Sequence, residues 1–197
     1  MSSASRGRRG KHPQKRSRAA PRPQFRGLDR EAEALASEIA DAGSYVSGVD
    51  PAVLVDPGAT RELLARRRFA VPSTTAVIDG EDVEVDPGDE DERNLLIVAE
   101  HPEYRHVLED PFSEELIDGV NPRLHIALHQ VIANQLWDDD PPEAWEAARR
   151  LLAKNHDRHA ILHALAYEFT EELHPTLTRQ QAPDPDAAAY RSRLRRL

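Results

Sequence analysis

Residues 121–174 read NPRLHIALHQVIANQLWDDDPPEAWEAARRLLAKNHDRHAILHALAYEFTEELH. This stretch predicts three consecutive helices. Asn121 and Pro122 supply a cap and a first-turn proline. The run Asp138 to Pro142 breaks the chain and opens the next helix, and Asn155-His156-Asp157 opens the third. Two of the helices carry histidines at i,i+4: His125 with His129, and His159 with His163. At about 100° per residue, His129, Ile132 and Leu136 fall within about 40° of His125. His163, Ala166 and Thr170 share the stripe of His159 in the same way. Both pairs therefore sit on the faces that should be buried or at the boundary of the core.

Neutral imidazole is a good ligand for zinc, iron, nickel or copper. Spacing of four residues puts two ring nitrogens on one side of a helix. His125, His129, His159 and His163 are accordingly the candidate ligands of a divalent transition metal, zinc or iron. His101, His106 and His156 are reserve ligands, and Glu100, Glu168 and Glu171 are the available carboxylates, although the wheel points Glu168 away from the stripe. Gln130 follows His129, so the general base of an HExxH metalloprotease is missing. A bland alternative stands beside this one: Asn134 and Gln135 could satisfy the imidazoles by hydrogen bonds, with no metal. Trp137 and Trp145 read as packing residues.

The flanks are different in character. Residues 1–26 hold nine Lys/Arg and no acid, whereas the remainder carries 17 basic and 35 acidic residues. Such an arm cannot bury enough apolar surface to offset its ordering entropy, so it is expected to be disordered. Its charge suits weak, non-specific contact with nucleic acid or ribonucleoprotein. Leu28 to Ala42 predicts a helix capped by Asp29, with Ala32, Leu35, Ala36, Ile39 and Ala40 as its apolar stripe. A second helix is expected at residues 59–69, its Arg66-Arg67-Arg68 end suiting the negative pole of the dipole. Asp79-Gly80, between Thr74–Ile78 and Glu81–Val85, is a hairpin signal. Asn94 to Asp110 predicts an apolar helix that Pro102 kinks or restarts. Trp145, Ala148, Leu151 and Leu152 form the predicted apolar face of the helix after Pro142.

The chain has 197 residues and no cysteine. Disulfides, thiolate metal sites and thiol catalysis are excluded. No apolar run approaches the roughly 20 residues of a membrane span, and the basic N-terminus lacks the apolar core of a secretory signal. The expectation is a cytoplasmic, all-α protein: a small helical bundle core with a short β-hairpin and a disordered basic N-terminal arm. The divisions expected are 1–27 (arm), 28–93 (accessory helices and hairpin), 94–175 (core) and 176–197 (C-terminal tail).

Glu100-His101-Pro102-Glu103-Tyr104, then Asn121-Pro122-x-Leu124-His125-x-x-Leu128-His129 with Gln135, then His159 in an apolar helix, resemble a bacterial domain-of-unknown-function family, number 1841. The resemblance covers about residues 94–175. Arg105 and His106 follow Tyr104, and His163 stands where the family pattern has a carboxylate. The resemblance implies an uncharacterised bacterial cytoplasmic protein and supplies no activity. Three functional classes remain open: a histidine-rich metal-binding domain, a non-enzymatic interaction module using the arm, and a metal-free enzyme with His129 or His159 as general base.

Overall fold

A computed structural model describes residues 26–78, 80–178 and 187–197. The described residues form helices and one two-stranded antiparallel hairpin. The helices are α1 (Arg26–Ala42), α2 (Pro51–Leu54), α3 (Pro57–Ala70), α4 (Glu90–Ala99), α5 (Arg105–Glu109), α6 (Pro122–Asp138), α7 (Pro142–Ala153), α8 (Arg158–Thr178) and α9 (Ala187–Leu194). The strands are β1 (Thr75–Ile78) and β2 (Glu81–Glu84). Most of the basic arm, residues 1–25, lies outside the described residues. Among the described residues no helix is long and apolar enough to cross a membrane.

Helix starts follow a repeated rule. A short acidic or amide side chain precedes the first turn and accepts its orphan N–H groups. Asp56 accepts from Ala59 N at 2.8 Å, and Asn121 from Arg123 N at 3.0 Å. Asp157 accepts from Ala160 N at 2.9 Å. A proline follows the cap in α2, α3 and α6.

Helix α6 is the hub, touched by α3, α4, α5, α7 and α8. Its Ile132, Ala133 and Leu136 are buried together with Ile161 and Leu165 of α8. Ala144, Ala147 and Ala148 of α7 are also fully covered, so its small face packs flush. The hairpin joins this core through Ala76 and Val85. Its pairing runs Thr75 to Glu84 and Ile78 to Glu81, around Gly80 at φ +84°. Asp79, the other half of the expected turn, is outside the described residues.

Several expectations are corrected. Helix α1 starts at Arg26, so Asp29 lies within the helix rather than ahead of its first turn. Of its stripe, Leu35 is buried and Ile39 half-buried, while Ala32, Ala36 and Ala40 are exposed. Leu152 of α7 is exposed as well. In the segment 94–110 Pro102 restarts the chain, as one of the two expectations had it, but α4 begins earlier, at Glu90, and stops at Ala99, and a 3-10 turn over Pro102–Tyr104 leads into α5. Helix α8 runs through Pro175 to Thr178.

The largest correction is at the C-terminus. The expected tail contains α9, which packs on α7 and α8. Tyr190 and Leu194, four apart, form a short apolar stripe that the surrounding arginines mask in the sequence. The Tyr190 hydroxyl donates to Gln135 Oε1 at 2.7 Å, and Arg150 donates to the Leu194 carbonyl at 2.7 Å. Leu194→Ala is therefore expected to destabilise by about 2–5 kcal/mol, the usual cost of emptying a sealed leucine site. Urea melts check this; a change below about 0.5 kcal/mol would mean that α9 is dispensable.

Candidate metal centre

Three chain segments, separated in sequence, bring five imidazoles to one place. His125 and His129 come from successive turns of α6. His159 and His163 come from the first turns of α8. His101 caps the 3-10 turn after α4. One ring nitrogen from each of His101, His125, His129 and His159 lies within 4.8 Å of the others. The rings pack in direct contact: centroids are 4.4 Å apart for His125 and His129, 4.7 Å for His101 and His129, and 5.0 Å for His129 and His159. His163 closes the group from the outside, 4.3 Å from His159 and 5.0 Å from His125.

Burial is graded across the cluster. His101 and His129 are only 2% exposed and form its floor. His125 is intermediate, and His159 and His163 are exposed. The face that the helical wheel assigns to the α8 pair is right in direction, but among the described residues nothing covers it. The cluster is therefore open on one side. A groove of about 340 Å³ runs along that side, lined by His125, Leu128, His129, His163, Ala166, Tyr167 and Thr170.

Hydrogen bonding separates a site from ordinary core histidines. Nδ1 of His101 lies 2.8 Å from the Ile97 carbonyl, which can only accept. That nitrogen must carry the proton, so Nε2 holds a lone pair. Nε2 of His101, of His125 and of His129 is buried and has no hydrogen-bond partner. Asn134 and Gln135, the groups expected to satisfy them, are engaged elsewhere. Asn134 accepts from Arg93 at 2.9 Å and donates to Glu90 at 2.7 Å, and Gln135 accepts from Tyr190. Three buried, unsatisfied imidazole nitrogens on rings in mutual contact would each cost about 1–3 kcal/mol if nothing bound them.

Electrostatics act in the same direction. Burial, reinforced by the neighbouring imidazoles, holds His125 down to about 4 and His129 lower still, to about 2. Burial and the charges of His159 and His101 lower His163 too. These rings stay neutral and keep their lone pairs at neutral pH. A base as weak as His129 is a poor proton acceptor, which argues against its use as a metal-free general base.

These shifts fix the sign of a pH effect. The unfolded chain takes up protons near 6.5, and the folded rings do so only well below it. Between those limits the unfolded state binds more protons, so stability falls as pH falls. The metal-free protein is expected to weaken already between about pH 6.5 and 5, before most carboxylates titrate. Urea melts across that range check it. His129→Leu should flatten the decline, and a wild-type stability that is level there would contradict the burial of these rings.

The expected reserve ligands divide. His101 belongs to the cluster. His106 instead faces Glu115 at 3.7 Å on α5, and His156 is exposed between α7 and α8. Among the described residues no carboxylate joins the ligand group. Glu100 pairs with Arg158 at 2.6 Å and Glu168 with Arg193 at 3.4 Å.

Arg158, which the sequence reading passed over, positions the site. Its guanidinium donates to the carbonyls of Phe69 and Ala70, each at 2.6 Å, and to Glu100. One side chain thus ties the start of α8, next to His159, to the end of α3 and to the residue before His101.

A family model described as Domain of unknown function (DUF1841) matches residues 88–196, more than half of the chain. The chain belongs to this family. The DUF1841 match extends the resemblance seen in residues 94–175 at both ends. It takes in Asp89, the cap of α4, and helix α9. All five clustered histidines, and Arg158, lie inside the DUF1841 region. No curated protein and no solved structure matches the chain.

Proposed function

We propose that the protein binds one divalent transition-metal ion through His101, His125, His129 and His159, with His163 at the mouth of the site. The observation that carries this reading is the convergence of four imidazole nitrogens within 4.8 Å, three of the rings having a buried Nε2 without a partner. Four nitrogens about 2.0–2.1 Å from a tetrahedral ion stand roughly 3.4 Å apart, so the rings must draw together by up to about 1.4 Å to close the set. An all-imidazole set suits zinc, iron(II), copper or nickel, and not magnesium or calcium, which require oxygen donors. The His101 contact with Ile97 is the outer hydrogen bond that orients a metal-binding imidazole.

Elemental analysis of the full chain, purified without a histidine tag, tests the proposal. One zinc or iron per chain, removed by chelator and restored by adding the metal, is the expected result. A purified protein that carries no transition metal and takes none up would leave the histidines as structural residues.

A further inference from the structure

The open side of the cluster borders a groove whose chemistry differs from that of the site. Leu128, Ala166 and Tyr167 give it an apolar wall. Two hydroxyls lie there, on Tyr167 and Thr170, and the Thr170 hydroxyl is engaged, donating to the Tyr167 carbonyl at 2.8 Å. Tyr167 itself is 63% exposed, a large aromatic ring left at the rim. His125 and His129, whose buried Nε2 atoms have no partner among the described residues, belong to the same lining.

We infer that this groove binds a small carboxylate with a short apolar tail, the head group on the metal's open side and the tail against Leu128, Ala166 and Tyr167. The inference rests on the metal reading above. It follows from charge. Four neutral imidazoles leave the two positive charges of a divalent ion uncompensated at first contact. Glu103 and Asp157, the acids that His125 and His163 sense through space, stay outside the ligand group. Asp157 is also occupied in capping α8. An anionic head beside the ion, on the groove side, restores the balance. The groove volume of about 340 Å³ is at the small end for ligand pockets, which limits the tail to a few carbons or one ring.

Cobalt(II) loaded into the full chain is the probe, because its visible absorption reports both ligand type and ligand exchange. Hexanoate is expected to change the spectrum saturably and to bind about tenfold to a hundredfold more tightly than acetate, through the extra buried methylenes. Hexylamine, with the same tail and the opposite charge, should leave the spectrum unchanged. Tyr167→Ser, at an exposed position, should keep the cobalt spectrum and the acetate response but lose the preference for hexanoate. Cobalt that binds but responds equally to both acids overturns the groove inference and leaves the metal site standing. Hexanoate that binds equally well without cobalt overturns it too. A chain that takes up no cobalt overturns both.

Discussion

Replacing His129 with alanine is expected to abolish the chelator-sensitive part of the melting temperature. The unfolded chain has no preformed site, so whatever free energy the ion contributes appears as folding stability. An ion present at a thousand times its dissociation constant adds about 4 kcal/mol. For a chain of this size that corresponds to a melting shift of roughly 8–16 °C. His129 is the ring to remove because it sits on the floor of the site, against His101, His125 and His159. In chelator, the variant and the wild type should melt within a few degrees of each other. The alanine leaves a small cavity but also removes a buried nitrogen that lacks a partner. The idea fails if wild-type melting is unmoved by chelator, or if His129→Ala keeps the full shift.

Arg158→Ala should produce the second large effect, a loss of about 3 kcal/mol. The guanidinium bridges three elements from a half-buried position. Its removal leaves two carbonyls at the end of α3 and the Glu100 carboxylate without their donor, and losing one partner of a covered charged network costs on this order. Lysine should not rescue it, since one ammonium cannot span the carbonyls and the carboxylate together. The decisive reading is metal affinity. A merely stabilising residue would lower the melting temperature and leave affinity unchanged. A residue that holds His101 and His159 in register should weaken binding about tenfold or more, the scale seen for outer-shell supports. Competition titration against a chromophoric chelator separates the two; unchanged affinity would reduce Arg158 to a structural role.

The helical framework was legible wherever a side chain reports its own surroundings through spacing. The histidine pairs of α6 and α8 show their common face by their four-residue separation, and Asn121-Pro122 announces the start of α6. What spacing does not contain is cover. The wheel groups His159 with His163, but only packing shows that this face opens onto a groove. His101 carries no periodic signal at all. It lies at a break after α4, and its depth follows from the fold of the 3-10 turn beneath the end of that helix.

The arginines were harder to read. Arg66 and Arg67 look like a basic helix end facing solvent. Instead they are buried: Arg66 donates to the Leu136 and Trp137 carbonyls at the end of α6, and Arg67 to Tyr45 and Ser47, while stacking on Trp137. A long side chain reaching into another element's carbonyls leaves no mark in local pattern. The C-terminal helix hid for a related reason. Two apolar residues among arginines are a weak stripe until Gln135 and Phe169 are seen to receive Tyr190.

The five histidines enter the world in three instalments. His101 leaves the ribosome first, the α6 pair about two dozen residues later, and the α8 pair last. Until His159 has emerged and α8 has docked on α6, no nascent chain can offer the full set of four. If the proposed ion binds, its loading must wait for a nearly finished protein and take place on the side where His159 and His163 are exposed.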